Sequence, residues 1–159
     1  MKQDTLSRWL KGILAGVGVC GLIVYGAVVP MLAEAMIDWY PEFSGCRLPW
    51  LILIWATAIP CYAALILAWK IAGNIGADRS FSVENGKLLK WISVLAAGDA
   101  AFFFAGNFIY LLLGMNHPGI LLGSLLVEFL GIAISVAAAA LSHLVMKAAE
   151  LQDQSDLTI

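Results

Sequence analysis

The chain has 159 residues, a net charge of -2 and a mean hydropathy of +0.89, with 62% hydrophobic and 13% charged residues. Soluble domains carry roughly 25% charged residues, so this composition indicates an integral membrane protein. The small net charge and the scattered basic residues argue against direct nucleic-acid binding.

Four apolar runs are each long enough to cross a bilayer, which takes about 20 residues in helical form. None of the runs alternates apolar with polar residues as a barrel strand would. We therefore predict an all-α fold, an integral membrane four-helix bundle that forms a single transmembrane domain. The predicted helices cover positions 10–36, 48–72, 88–114 and 118–150.

The first run also has features of a secretory signal, because basic residues precede it and Ala33-Glu34-Ala35 has the form of a cleavage site. Its apolar stretch, residues 13–33, is longer than the ~7 to 15 residues of a signal peptide. We therefore expect this run to be retained as the first membrane helix.

The Lys and Arg residues that flank the runs predict the orientation, because basic flanks stay on the cytoplasmic side. Of nine such residues, Arg47 alone lies in a predicted outer connection. Both termini and the loop of residues 75–91 are therefore predicted to be cytoplasmic. Trp9, Trp69 and Trp91 fall at the predicted inner membrane edge, where tryptophan side chains act as anchors.

Asp99 in the third helix and Glu128 in the fourth are the only acids within the four apolar runs. An acid at mid-bilayer costs about 2.5 to 3.5 kcal/mol on insertion scales, so both are expected to face other helices. Neither acid has a Lys or Arg inside the membrane to pair with. On the third helix, Asp99 shares a side with Phe103 and Gly106, and Asn107 is rotated somewhat from it.

The fourth helix carries small and polar residues at alternating intervals of three and four, which is the spacing of one helix face. Small residues let helices approach closely, and hydroxyl groups form hydrogen bonds across such contacts. This seam consists of Ser124, Glu128, Gly131, Ser135, Ala138 and Ser142.

The intramembrane polar residues have two interpretations. In the first interpretation, Asp99, Asn107, Glu128 and the serines line a path for protons or cations, as intramembrane acids often do. Alternatively, they form hydrogen bonds that hold the bundle together. We favour the second interpretation, because four short helices leave little room for a gated route.

Enzymatic chemistry finds little support in the sequence, so we predict that the chain is not an enzyme and has no metal site or cofactor. The only histidines, His117 and His143, are predicted to lie on opposite sides of the membrane. Neither a phosphate-binding glycine loop nor a Gly-x-Ser-x-Gly elbow is present. The segment Ala96 to Asp99 is close to an aspartyl protease motif but lacks a second aspartate on a neighbouring helix.

Two polar segments are predicted on the cytoplasmic side. Ser82 is a suitable N-cap for the third helix, with Glu84 in its first turn, but this scheme does not explain Phe81. The C-terminal residues Leu157 to Ile159 place apolar side chains at a polar terminus, which suggests docking into this protein or a partner.

Two motifs resemble those of a bacterial family catalogued as domain of unknown function 2975, which comprises small four-helix membrane proteins. The motifs are Ser80-Phe81-Ser82-Val83-Glu84-Asn85 and Asp156-Leu157-Thr158-Ile159. The family has a proline where Ser80 stands. The resemblance implies a multi-pass protein of the bacterial cytoplasmic (inner) membrane, often encoded beside a small helix-turn-helix regulator, and supplies no catalytic residues.

Three hypotheses follow from these patterns. The first is a non-enzymatic membrane protein that binds a cytoplasmic partner, such as a helix-turn-helix regulator. Its predicted contact residues are Ser80, Phe81, Ser82, Glu84, Asn85, Asp156, Leu157, Thr158 and Ile159. The alternative is a small transporter or ion pathway, formed as a homo-oligomer, that uses Asp99 and Glu128. The third is an assembly subunit of a larger membrane complex.

Overall fold

The structure, a computed structural model, describes residues 3–156 and contains four long helices. A 3-10 segment, Pro41–Cys46, connects the first two helices. The helices are α1 (Gln3–Trp39), α2 (Arg47–Gly76), α3 (Val83–Leu112) and α4 (Pro118–Asp156). Each is long and apolar enough to cross a membrane, so the all-α prediction with four spans is confirmed. The helices are longer than the apolar runs because their ends continue beyond the hydrophobic part.

The helices pack in chain order. Helix α1 packs on α2, α2 on α3 and α3 on α4, and no other helix pair brings Cα atoms within 8 Å in the described residues 3–156. The result is an open series with α1 and α4 at its two edges. The α2–α3 loop (residues 77–82), the start of α1 and the last turns of α4 lie at one end, which we call the loop end.

Hydroxyl groups donate to backbone carbonyls across the α1–α2 contact at two levels. Ser7 donates to the carbonyl of Ala72 at 2.6 Å, and the Tyr62 hydroxyl donates to the carbonyl of Gly18 at 2.8 Å. Both acceptors are helix carbonyls, which have a second lone pair free for such a bond. Hydrogen bonds of this kind hold helices together in lipid, where hydrophobic burial gives no driving force.

Helix α1 is irregular at Val24–Val28, where it forms a π-helix. In this register the backbone donor for the Tyr25 carbonyl would be Pro30, which has no N–H. Trp55 of α2 supplies the missing donor, because its Nε1 lies 2.9 Å from the Tyr25 carbonyl oxygen. A side chain of α2 thus satisfies a backbone group that the proline leaves open.

The predicted seam of α4 lies against α3. All of its members are buried except Gly131, which is half-buried and comes close to Ala100. Ser135 donates to the carbonyl of Ser93 at 2.9 Å, and Ser142 donates to the carbonyl of Gly86 at 2.7 Å. Because the side chains of the seam are small, α3 and α4 approach closely enough for a serine hydroxyl of α4 to reach a backbone carbonyl of α3.

Candidate functional site

One buried side chain, Asn85, holds the α2–α3 loop in place. It is 1% exposed, and its Nδ2 donates to the carbonyls of Arg79 at 3.1 Å and Ser80 at 3.0 Å. Its Oδ1 accepts a 2.8 Å hydrogen bond from Nδ2 of Asn74. Its backbone N–H donates to Oγ of Ser82 at 3.2 Å, so Ser82 is the N-cap that the sequence predicts. Buried polar groups need such partners, so this network specifies one loop conformation.

The turn itself passes through Asp78, whose φ of 62° lies in the left-handed region. Aspartate adopts this conformation more readily than most residues other than glycine. The backbone N–H of Arg79 then donates to the carbonyl of Asn74 at 2.9 Å. The Arg79 guanidinium lies 4.0 Å from the carboxylate of Glu84, and both side chains are largely exposed, so this ion pair contributes little to stability.

Phe81 remains 61% exposed although its neighbours are fixed by the Asn85 network. Helix α3 begins at Val83, and Trp91, which marks the predicted membrane edge, follows eight residues later. At 1.5 Å per residue, Val83 lies about 12 Å further along the helix axis than Trp91. With the membrane edge predicted at Trp91, contact with the apolar part of the bilayer does not account for the exposure of Phe81.

A groove of about 510 Å³ lies beside Phe81, between the loop and the last turns of α4. We call it the Phe81 groove. Ser80 and Ser82 line it on the loop side, and Gln152 and Asp153 line it on α4. Gln3 at the start of α1 also lines it and accepts a 2.9 Å hydrogen bond from Oγ of Ser80.

The predicted contact residues divide into four groups. Ser80, Phe81 and Ser82 line the groove, whereas Asn85 is buried and acts on the loop from inside. Asn85 therefore offers no surface to a partner, contrary to its predicted role as a contact. Glu84 is exposed and paired with Arg79. The side chain of Asp156 and residues Leu157, Thr158 and Ile159 lie outside the described part of the chain.

Asp99 lies at the contact of α3 with α2. Its Oδ2 accepts a long hydrogen bond, 3.5 Å, from the thiol of Cys61, and its Oδ1 is buried without a partner among the described residues. The Tyr25 hydroxyl lies 3.7 Å from the Cys61 sulfur and 3.2 Å from the hydroxyl of Thr57. A polar cluster therefore joins α1, α2 and α3.

Glu128 lies at a different contact, that of α4 with α3. It is 6% exposed, and its Oε1 accepts a 3.0 Å hydrogen bond from Ser124 one turn earlier. Among the described residues, no hydrogen bond connects Glu128 with Asp99 or with the cluster around Cys61. The structure therefore does not bring the two acids into one hydrogen-bonded path.

Asn107, the other candidate for that path, lies near the end of α3 and binds the α3–α4 turn. Its Oδ1 accepts a 3.0 Å hydrogen bond from Asn116, and its Nδ2 donates to the carbonyl of Phe103 at 3.0 Å. Asn116 in turn accepts from the backbone N–H of His117 at 3.0 Å. Both asparagines are buried, so they fix the turn between the two helices.

Sequence reasoning missed Asn74, Tyr25 and Asn116. In the sequence, the only indication for Asn74 is that its amide lies just before the predicted loop of residues 75–91, which also contains Asn85. Tyr25 lies within five residues of Pro30, which marks an interrupted helix. Asn116 lies in the short turn between α3 and α4, and no local spacing indicates that its buried amide binds Asn107.

The four spans and the absence of strands within residues 3–156 define a multi-pass helical membrane protein. The family model described as "Protein of unknown function (DUF2975)" matches residues 31–159, so the chain belongs to that family. The chain is 29% identical over 160 residues to the uncharacterized membrane protein YoaS of Bacillus subtilis (strain 168), and the match covers 99% of each chain. No solved structure matches it. The family predicted from the two short motifs is confirmed.

Proposed function

We propose that this chain is a membrane-anchored interaction protein that binds a soluble protein partner through the Phe81 groove. The observation that supports it best is the contrast between Asn85 and Phe81. A buried amide with three side-chain hydrogen bonds determines the loop conformation, yet the loop leaves a large aromatic side chain 61% exposed. A simple connection between two helices needs neither feature.

The physical properties of the groove suit protein binding. Aromatic anchors at the centre of a contact contribute a large share of binding free energy. A loop that is already ordered loses little conformational entropy when it binds, which leaves more of that free energy available. Val83, which is 42% exposed, extends the apolar surface next to Phe81.

Charge indicates the kind of partner. Asp78 and Asp153 line the groove, and the one basic residue there, Arg79, is already paired with Glu84. A complementary surface therefore carries an apolar residue flanked by Lys or Arg. Nucleic-acid-binding proteins expose such basic residues, which fits the small helix-turn-helix regulator implied by the family resemblance.

The proposal places the Phe81 groove in the cytoplasm and the chain in the bacterial cytoplasmic membrane. Its support is the distribution of basic residues, because Arg47 is the one Lys or Arg among the described residues that does not lie at the loop end or beside it. The proposal assigns no catalytic step to any residue. The tail residues 157–159 follow directly on α4 and are included in the proposed contact.

Photo-crosslinking in intact cells tests the proposal. Benzoylphenylalanine is placed at position 81 or, as a matched control, at position 91. Phe81 and Trp91 are both aromatic and both 61% exposed, but Trp91 lies at the predicted membrane edge. We expect position 81, and not position 91, to form an adduct with one soluble protein that mass spectrometry identifies.

A second step connects the adduct to the groove. The identified protein is expected to bind the purified chain in nanodiscs and to lose binding when Asp153 is replaced by Lys. The proposal is wrong if position 81 gives adducts with lipid only, or if both positions give the same adducts.

The transporter alternative receives less support. It requires Asp99 and Glu128 to act on one route, whereas the two acids lie at different helix contacts without a hydrogen-bonded link among the described residues.

A further inference from the structure

A second cavity lies in the membrane-spanning part, between α3 and α4 and far from the Phe81 groove. It has a volume of about 390 Å³, within the range of small-molecule sites. Its α3 wall consists largely of alanines, whose side chains are too short to fill the space. The residues relevant here are Ala97, Ala101 and Phe104 of α3 and Leu125, Glu128 and Ile132 of α4. We call this cavity the Glu128 crevice.

The crevice is apolar apart from Glu128 and Ser135. Glu128 is 6% exposed, and Ser124 satisfies only its Oε1. The second oxygen, Oε2, accepts no hydrogen bond from any described residue, and it is not fully buried. Because Glu128 lines the crevice, this open oxygen is the one available to a ligand there.

No protein cation is placed to pair with this carboxyl. Residues 92–146 contain no Lys or Arg, and the nearest one in α4, Lys147, is nineteen residues away. At 1.5 Å per residue this is about 28 Å along the helix axis. A buried carboxyl without partners is costly, so a bound donor or positive charge would stabilise the site.

We propose that the Glu128 crevice binds a small lipophilic ammonium compound. The ammonium group donates hydrogen bonds to Oε2 of Glu128, and its one- or two-ring apolar body lies against Ala101, Phe104 and Ile132. A phospholipid acyl chain fits the walls but offers no donor to Oε2. A lipophilic ammonium compound matches both the apolar walls and the unsatisfied oxygen. It enters from the bilayer, on the side where the crevice is open.

Equilibrium binding in nanodiscs of phosphatidylcholine tests this site. The probe is 1-naphthylmethylammonium, which is fluorescent and fits the cavity, and empty nanodiscs measure its partition into lipid. We expect saturable binding by the protein above that partition. The neutral alcohol 1-naphthylmethanol, which has the same ring system, is expected to bind at least about tenfold more weakly, a difference of 1.4 kcal/mol.

Two substitutions separate charge from shape. Glu128→Gln keeps a carbonyl oxygen for Ser124 but replaces the acidic group with a neutral amide, and we expect at least about tenfold weaker binding. Ala101→Leu reduces the cavity while Glu128 stays, and it is expected to weaken binding of the probe to a similar extent. Glu150→Gln, an exposed acid on the same helix, is the matched control and leaves binding unchanged.

Thermal unfolding of each variant in the same nanodiscs shows whether it is folded. The proposal is overturned if the wild-type protein binds no more probe than empty nanodiscs do. It is equally overturned if folded Glu128→Gln binds like wild type, or if the alcohol binds as tightly as the ammonium.

Discussion

Asn74 near the end of α2 and Asn85 near the start of α3 are joined by a 2.8 Å hydrogen bond between their buried side chains. This bond connects the two helices across the loop that carries Phe81. Because Asn85 also holds the carbonyls of Arg79 and Ser80, its removal affects both the packing of the helices and the position of the loop.

Asn85→Ala is therefore expected to destabilise the protein by about 3 kcal/mol, because it leaves buried carbonyl and amide groups without partners. Unfolding in mixed micelles measures the free energy, and hydrogen exchange at residues 79–82 reports on the loop. Glu84→Gln, which breaks only the exposed pair with Arg79, should cost about 0.5 kcal/mol or less. Similar losses for the two variants would show that the Asn85 network does not determine the loop.

Phe81→Ala is expected to weaken binding of the cross-linked partner about thirtyfold, the effect of losing roughly 2 kcal/mol at a binding hot spot. The stability of the chain itself should hardly change, because the side chain is 61% exposed. Surface-immobilised nanodiscs give the dissociation constant. Trp91→Ala is the matched control and should leave the constant unchanged.

A chain that ends after Asp156 tests the predicted role of the tail. We expect it to bind the partner more weakly than the full chain, because the proposed contact includes Leu157 to Ile159. Full affinity of the shortened chain would restrict the contact to the loop and α4.

Trp55→Phe is expected to destabilise the protein by about 1 kcal/mol, because the Tyr25 carbonyl in the π-helix loses its donor. Pro30→Ala restores a backbone N–H close to that carbonyl. In the Pro30→Ala background the same Trp55 substitution should therefore cost clearly less. Unfolding of the four proteins of this double-mutant cycle measures the coupling, and equal costs in both backgrounds would contradict our account of the irregular helix.

Labelling of single cysteines tests the orientation. In a chain whose other cysteines, Cys20 and Cys61, are replaced by serine, Cys46 is expected to react with a membrane-impermeant maleimide in intact cells. In a second chain that also lacks Cys46, Ser80→Cys should react only after lysis. The opposite pattern would place the Phe81 groove outside the cell and exclude a cytoplasmic partner.

Flux measurements test the transporter alternative. Sealed vesicles that contain the protein are expected to dissipate a proton gradient no faster than empty vesicles, because Asp99 and Glu128 lie at separate helix contacts. A pH-sensitive dye inside the vesicles follows the gradient. Flux that disappears in both Asp99→Asn and Glu128→Gln would favour the transporter over the interaction protein.

Features that depend on local spacing were predictable from the sequence. Hydropathy identified the four spans, the N-cap role of Ser82 followed from its position before an apolar run, and intervals of three and four identified the seam containing Ser135. Each of these depends on residues within one helix or next to it.

Features that depend on which helix packs against which were not predictable. Helical periodicity assigns Asp99 and Glu128 to faces of their helices, but it does not show that one face meets α2 and the other meets α3. Likewise, the exposure of Asn85 depends on Asn74 across the turn, so a motif residue that looked available for contact is in fact buried. Such contacts between helices are tertiary, so no periodic pattern in the sequence predicts them.

The chain-order packing of the helices also bears on how the protein is made. Because Cα atoms of different helices come within 8 Å only between chain neighbours in the described residues, the packing of one helix on the next does not wait for a more distant helix. The α1–α2 hairpin can form in the bilayer while α4 is still being synthesised, and every later helix adds to a surface that already exists. Contacts between chain neighbours favour rapid assembly, so we expect ribosome-bound chains that end after α2 to contain the hydrogen bond from Trp55 to Tyr25.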